Sequence, residues 1–366
     1  MNTSATNPLT PFACSYSPQV PELLLNLNCS IAITTYQAGK MVLISPKPDK
    51  EHLNILPRTF QKPMGMALAG DKMCLATKDE IILFESSKEL AVNYPNKQNT
   101  YDQLFVPRVT FHTGQVDMHD IAFGKEGIWA VNTSFSCLCL VNGNYNFVPK
   151  WNPPFISELA SEDRCHLNGM VLSDGVPKYV TALGTTNTPQ GWRDTIVNGG
   201  ILMDVESNKI ILEGLAMPHS PILHNGELYL LLSASGEIIK VNVKDKRYEV
   251  IKQLEGFCRG MAIHKDYLFV GMSKLRKNSS TFAKLPFSDK AQQAGIKIIH
   301  LPTKALVGEI IFQTSVDEIY EVEILPETLR PNILNTSNPI HKYSLAVPGH
   351  TFWANPEEDI LNNNNQ

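Results

Sequence analysis

The chain has 366 residues, and 43% of them are hydrophobic, so it can bury a large core. Its formal net charge is −4 and no Lys/Arg run is long, which argues against nucleic acid or an anionic membrane as a partner. No segment approaches the roughly 18 apolar residues of a transmembrane helix, and the N-terminus, MNTSATNPLTPFACSYSP, has neither the cationic start nor the apolar stretch of a signal peptide.

Residues 1–29 read as a Pro-containing arm with one helical turn over Pro21–Leu27. A strand pair follows, Ile31–Thr35 and Lys40–Ser45, joined by Tyr36-Gln37-Ala38-Gly39. From Met64 onward one unit recurs with drifting sequence. It opens on a short strand of the form polar–Gly/Asp–apolar–Ala/Val, turns at Gly, Asp or Asn, and continues as two apolar strands around a polar loop. The openings are Met64-Gly65-Met66-Ala67, His119-Asp120-Ile121-Ala122, Asn168-Gly169-Met170-Val171, His219-Ser220-Pro221-Ile222, Arg259-Gly260-Met261-Ala262 and Tyr320-Glu321-Val322-Glu323. The loop between the later strands is short in most units, as between Cys74–Thr77 and Glu80–Phe84. It is expanded in two, at 184–199 with Trp192 and Arg193, and at 272–294 with Lys274 and Arg276. Residues 351–366 end in Asn-Asn-Asn-Asn-Gln and read as a flexible tail.

Short-strand repeats of about 40–50 residues predict an all-β chain, a single six-bladed β-propeller over residues 30–350. The pair at 31–45 has no opening strand, and the opening at Tyr320 has no clear pair after it. Ring closure solves both: residues 30–57 complete the last blade and remove the free sheet edges. The seven cysteines, Cys14, Cys29, Cys74, Cys137, Cys139, Cys165 and Cys258, lie mostly in apolar strands. Cys137-x-Cys139 lacks the spacing of a zinc knuckle or redox turn, so reduced core thiols in a cytoplasmic protein are expected.

A propeller brings equivalent strand starts to one mouth of its channel. The first ring of such positions is Met64, His119, Asn168, His219, Arg259 and Tyr320; two residues earlier lie Lys62, Asp117, His166, Met217, Phe257 and Glu318. Packing alone does not favour His, Asn, His, Arg and Tyr there. His119, His166 and His219 form a candidate ligand set for a divalent transition metal such as Zn, Fe or Mn, or else a hydrated plug bonded to loop backbone. Arg259 reads as a clamp for an anion or as a salt-bridge partner of Glu318, Glu321 or Asp317. Asn168, Lys274 and Arg276 are further candidate ligand contacts. Trp192 and Arg193 would form a lid or pack on the next blade. Tyr320 and Glu318 are candidates for acid–base work. A Gly-rich phosphate loop, a G-x-S-x-G elbow, H-E-x-x-H and an EF-hand loop are absent.

Longer strings carry a resemblance: Thr34-Thr35-Tyr36-Gln37-Ala38-Gly39-Lys40, Asp163-Arg164-Cys165-His166-Leu167-Asn168-Gly169, Gly191-Trp192-Arg193, Met217-Pro218-His219-Ser220-Pro221 and Val270-Gly271-Met272-Ser273-Lys274-Leu275-Arg276. Over about residues 18–350 the chain resembles a bacterial family of conserved hypothetical proteins without an assigned activity. This implies a shared fold and transfers no catalytic residue. More loosely, it resembles the six-bladed senescence-marker/gluconolactonase-type lactonases, which hold a divalent cation at the mouth through Glu, Asn and Asp. Asn168-Gly169 matches their Asn-Gly motif, but His119 and His219 stand where they use carboxylates and amides. That departure points away from calcium and from lactone hydrolysis. Two function classes follow. One is a metal-dependent enzyme acting on a small anionic or peptide-like substrate. The other is a non-catalytic propeller whose long loops grip a peptide, protein or small molecule.

Overall fold

Alternating apolar strands bounded by turn residues must bury one face each, and four of them per repeat form an antiparallel sheet. A computed structural model describes residues 10–275 and 292–354 and contains six such sheets. Blade 1 runs outward from Met66–Ala69 through Lys72–Ala76 and Glu80–Ser87 to Gln103–His112. Blades 2, 3, 4 and 5 start at the inner strands Met118–Gly124, Leu167–Ser173, Pro218–His224 and Phe257–His264. Each inner strand packs on the next, and the last packs on the first, so the sheets form a closed ring. The chain is a six-bladed β-propeller.

Blade 6 is assembled from both ends of the sequence. Its inner strand, Glu321–Pro326, pairs antiparallel with Cys29–Thr35, which pairs with Lys40–Pro46 and then Leu53–Thr59. The seam is tied by side chains as well. Thr34 Oγ1 donates to the Met64 carbonyl of blade 1 (2.7 Å) and accepts from the Glu321 amide (3.1 Å). Sheets face each other through apolar clusters. The one between blades 5 and 6 contains Ile31, Ile33, Phe269, Ile296 and Val322, all buried.

Three features go beyond the repeat. Cys14–Tyr16 adds a strand to the outer edge of blade 5, and Pro331–Ile333 adds a parallel strand to the outer edge of blade 1. The terminal segments therefore cover the blades on either side of the seam. The arm carries a helix, Val20–Leu27, with Pro21 in its first turn and Asn28 at its C-cap in the left-handed region (φ 53°). It buries Val20, Leu24 and Leu27 in the same cluster. Last, Ser344–Val347 and His350–Trp353 form a hairpin, so order runs past the expected tail boundary at residue 351. Trp353 anchors it: its Nε1 donates to the Leu90 carbonyl (2.9 Å), and its ring meets Tyr94 edge-on.

All seven cysteines are free thiols, six of them buried. Burial pushes the thiols of Cys29, Cys137, Cys165 and Cys258 up to about 12. Among the described residues no helix is long and apolar enough to cross a membrane.

Because blade 6 needs three strands from the N-terminal segment, deletion of residues 1–46 is expected to abolish cooperative unfolding. Circular dichroism melts check this, and a truncated protein that melts like the full chain would exclude the closure.

Candidate functional site

The inner strands begin on the same face to which the loops between second and third strands return. The expected ring residues therefore meet the loop residues around a cavity of about 850 Å³ at one mouth of the channel. His119, His219, Arg259 and Tyr320 line it, as do Asp117, His166, Met217, Phe257 and Glu318 from two residues earlier. Trp192, Arg193 and Lys274 reach it from the long loops. Met64 and Asn168 do not. Met64 is packed in the core between blades 1 and 2. The Asn168 side chain turns into its own blade, where Oδ1 accepts from Thr181 Oγ1 (2.7 Å). Arg276 lies outside the described residues.

The second ring is not a continuation of the strands. Lys62, Asp117, His166 and Met217 have φ between 45° and 56°. A left-handed residue two positions before the strand turns its carbonyl toward the ring that follows. His119 Nδ1 lies 3.2 Å from the Asp117 carbonyl, and His219 Nδ1 lies 3.0 Å from the Met217 carbonyl. A carbonyl only accepts, so both Nδ1 atoms carry the proton and both Nε2 atoms present a lone pair. Ser233 Oγ also lies 2.9 Å from His219 Nδ1. His166 Nδ1 donates to the Asp163 carboxylate (2.9 Å).

Asp163 accepts a second hydrogen bond. Trp192 Nε1 donates to it (3.1 Å), which sets the Trp192 ring against His166 at 4.3 Å between centroids. Trp192 is 4% exposed, packed with Leu183, Ile196, Met217 and Phe257. It is therefore a wall of the cavity and not an exposed lid. Arg193 lies over its other side, 4.6 Å from the ring, and donates to Gln190. Lys274 is paired with Asp317 at the rim.

Arg259 stacks on Tyr320, its guanidinium carbon 3.5 Å from the ring centroid. Its acidic neighbour, Glu318, stands 3.9 Å away, beyond hydrogen-bond reach. Tyr320 is 4% exposed, and among the described residues neither its hydroxyl nor Glu318 Oε2 has a hydrogen-bond partner. Burial raises the Tyr320 phenol well above its ordinary range, so it stays protonated and acts as a donor. Burial, with His166 and then Arg259 beside His119 and with Arg259 beside His219, holds both imidazoles well below their ordinary range, so both are neutral at pH 7.

Two contributors escape a ring alignment. Tyr36 comes from the loop of blade 6 and stacks with Tyr320 (6.0 Å between centroids). Asp163 precedes the aligned strand; its place three residues before His166 was the available signal. As a donor set for a metal, the histidines face an objection from charge, because the fixed cation of Arg259 shares their cavity. Among the described residues no group of three or more His, Cys, Asp or Glu side chains is disposed around one point.

Below this cavity the hub narrows. At the next position the blades alternate Gly65, Asp120, Gly169, Ser220, Gly260 and Glu321. A Cβ at Gly65 would lie 2.8 Å from the Asp120 Cα, and one at Gly169 would lie 2.6 Å from the Pro221 ring. Beyond this waist a second cavity opens on the other face, and the two share no lining residue. Asp120, Glu321 and Glu323 line it. Burial pushes the carboxyls of Asp120 and Glu323 up to about 7 and about 8; Glu321, beside Asp120, is raised further by the same cause.

The fold and the polar cavity at its hub define a six-bladed β-propeller with a candidate small-molecule site. The chain belongs to the family described as Domain of unknown function (DUF4915), which matches residues 18–334. No curated protein matches its sequence. Among solved structures it is similar to a chain in the crystal structure of a nidogen/laminin complex. That likeness has 10% identity and a TM-score of 0.49, and covers 82% of this chain and 99% of the other.

The raised carboxyls make stability depend on pH with a definite sign. Folded, they hold protons that the unfolded chain releases above the ordinary carboxylate range, so stability falls as pH rises toward their raised values. The neutral histidines act oppositely, but only below their ordinary 6.5. Between pH 6.5 and 8 the melting temperature is expected to fall, and Glu323→Gln to flatten that fall. An unchanged slope in the variant would remove Glu323 as its source.

Proposed function

We propose that the upper cavity binds a small anionic molecule and that Arg259 holds its negative charge. One observation carries this reading: a largely buried guanidinium lies flat on Tyr320 and makes no hydrogen bond to a described residue. Its fork of donors suits a carboxylate or phosphate oxygen pair better than the distant Glu318. The Tyr320 hydroxyl, protonated and unpartnered, supplies a further donor beside it. The cavity volume is that of a small-molecule site.

Thermal-shift titrations with phosphate, sulfate, citrate and simple carboxylates test this. At least one anion is expected to raise the wild-type melting temperature, and Arg259→Leu to abolish that response. Without ligand Arg259→Leu is expected to unfold cooperatively at a lowered melting temperature, because Glu318 loses a largely buried partner. Arg259→Lys keeps the charge without the fork and should respond weakly. Equal responses in all three proteins would overturn the reading.

A second reading, a metal-dependent enzyme, has one observation in its favour: each Nδ1 is committed, which leaves Nε2 lone pairs in the cavity as a metal would require. The charge of Arg259 opposes it. Elemental analysis of tag-free protein separates the two. Metal-free protein is expected; near-stoichiometric Zn, Fe or Mn, lost in the His119→Ala/His219→Ala double variant, would decide for the enzyme.

A further inference from the structure

The groups facing the upper cavity without a partner are mostly acceptors. His119 and His219 each have Nδ1 committed to a carbonyl, so each presents an Nε2 lone pair. Glu318 Oε2 is buried and unpartnered. Beside Tyr320, Arg259 and the Tyr320 hydroxyl supply donors. A simple anion would engage the donors and leave the acceptors to water. A ligand that displaces that water must replace its hydrogen bonds with donors of its own.

The groups are also ordered in space. Arg259 lies 3.5 Å from the Tyr320 centroid, and the His119 ring is 5.6 Å from Tyr320 and 4.9 Å from His166. His166 in turn touches Trp192, and His219 lies near Phe257, at 4.3 and 6.5 Å between centroids. Around the cavity the apolar rings, the imidazoles and the cation thus follow one another as neighbours. We propose that the site takes a carboxylic acid with an N–H or O–H donor on the carbon next to the carboxylate and an apolar body, that is, a hydrophobic α-amino or α-hydroxy acid. This rests on Arg259 as the anion anchor. The carboxylate meets Arg259 and Tyr320, the adjacent donor meets the imidazole Nε2 atoms, and the apolar body lies against Trp192 and Phe257.

Isothermal titration of the full chain with phenyllactate, phenylalanine and phenylpropionate tests the donor, and lactate and propionate test the apolar body. Phenyllactate or phenylalanine is expected to bind at least about tenfold tighter than phenylpropionate, in line with one to two added hydrogen bonds. Both should bind tighter than lactate. His119→Phe and His219→Phe are expected to shrink the ratio of phenyllactate to phenylpropionate affinity at least about threefold, and circular dichroism melts check that the variants are folded; an unchanged ratio in both folded variants would overturn the imidazole contact. Phenylalanine binding more tightly than phenyllactate assigns the donor to an ammonium held by Glu318, and Glu318→Gln should then close that gap. Arg259-dependent binding of all three acids with equal affinity would overturn this proposal and leave the anion reading standing. No binding of any acid to the wild type would overturn both.

Discussion

Everything at the hub depends on one pairing, that of Glu321–Pro326 with Cys29–Thr35. It joins the two ends of the chain by backbone hydrogen bonds and leaves no open sheet between blades 5 and 1. The upper cavity is built across this seam. Tyr320, the residue on which Arg259 stacks, donates its amide to the Thr34 carbonyl (2.8 Å) and packs its ring on Tyr36. Thr34 and Tyr36 come from the N-terminal segment. An open ring would still contain Arg259 and His119, but it would lack the surface that sets them beside each other. Cys14–Tyr16 and Pro331–Ile333 reinforce the flanking blades at their rims, so both termini serve the same closure.

The electrostatic character of the cavity follows from local backbone. A left-handed residue at 117 and at 217 directs a carbonyl to the Nδ1 atom two residues on, and it does so identically in blades 2 and 4. Each carbonyl also accepts from a loop amide, Thr133 or Ser233, so its position is fixed by the blade itself. The tautomer is thereby a property of the fold and not of a ligand. Burial and Arg259 then select the neutral imidazole over the cation. Two neutral acceptors and one fixed cation thus share one space.

The sequence carried the ring because the aligned positions break a packing rule. His119, His219, Arg259 and Tyr320 precede apolar strands yet are polar, and only convergence on a hub accounts for that. It carried the closure because a strand pair and an opening strand each lacked a partner. What it did not carry depends on side-chain direction. Asn168 has the right position but bonds to Thr181 in its own blade. Trp192 has the composition of an exposed loop residue, yet Asp163 and the apolar wall draw it inside. The hairpin at Ser344–Trp353 follows no repeat, and only its Trp353 contact with Leu90 and Tyr94 fixes it. Each of these outcomes turns on one partner distant in sequence, which periodicity does not report.

The alternation at the waist gives the Gly/Asp position of the repeat a physical meaning. Six inner strands converge there too closely for six side chains. Glycine in blades 1, 3 and 5 makes room for Asp120, Ser220 and Glu321 from blades 2, 4 and 6. Two of these side chains secure the neighbour that yielded: Asp120 accepts from the Met170 amide (2.7 Å), and Ser220 Oγ accepts from the Gly260 amide (3.1 Å). Gly260 is also in the left-handed region (φ 77°), so a side chain there would be strained as well as crowded. The waist separates two environments of opposite protonation logic. Above it, Arg259 favours neutral imidazoles and attracts anions. Below it, burial favours the protonated forms of Asp120, Glu321 and Glu323. Arg259 lowers the Glu321 carboxyl from across the waist, but only as a lesser influence than burial and the neighbouring acids. One face of the hub is thus suited to a negatively charged guest, while the other holds its acids largely uncharged near neutral pH. That asymmetry arises from one alternating residue position in the inner strands.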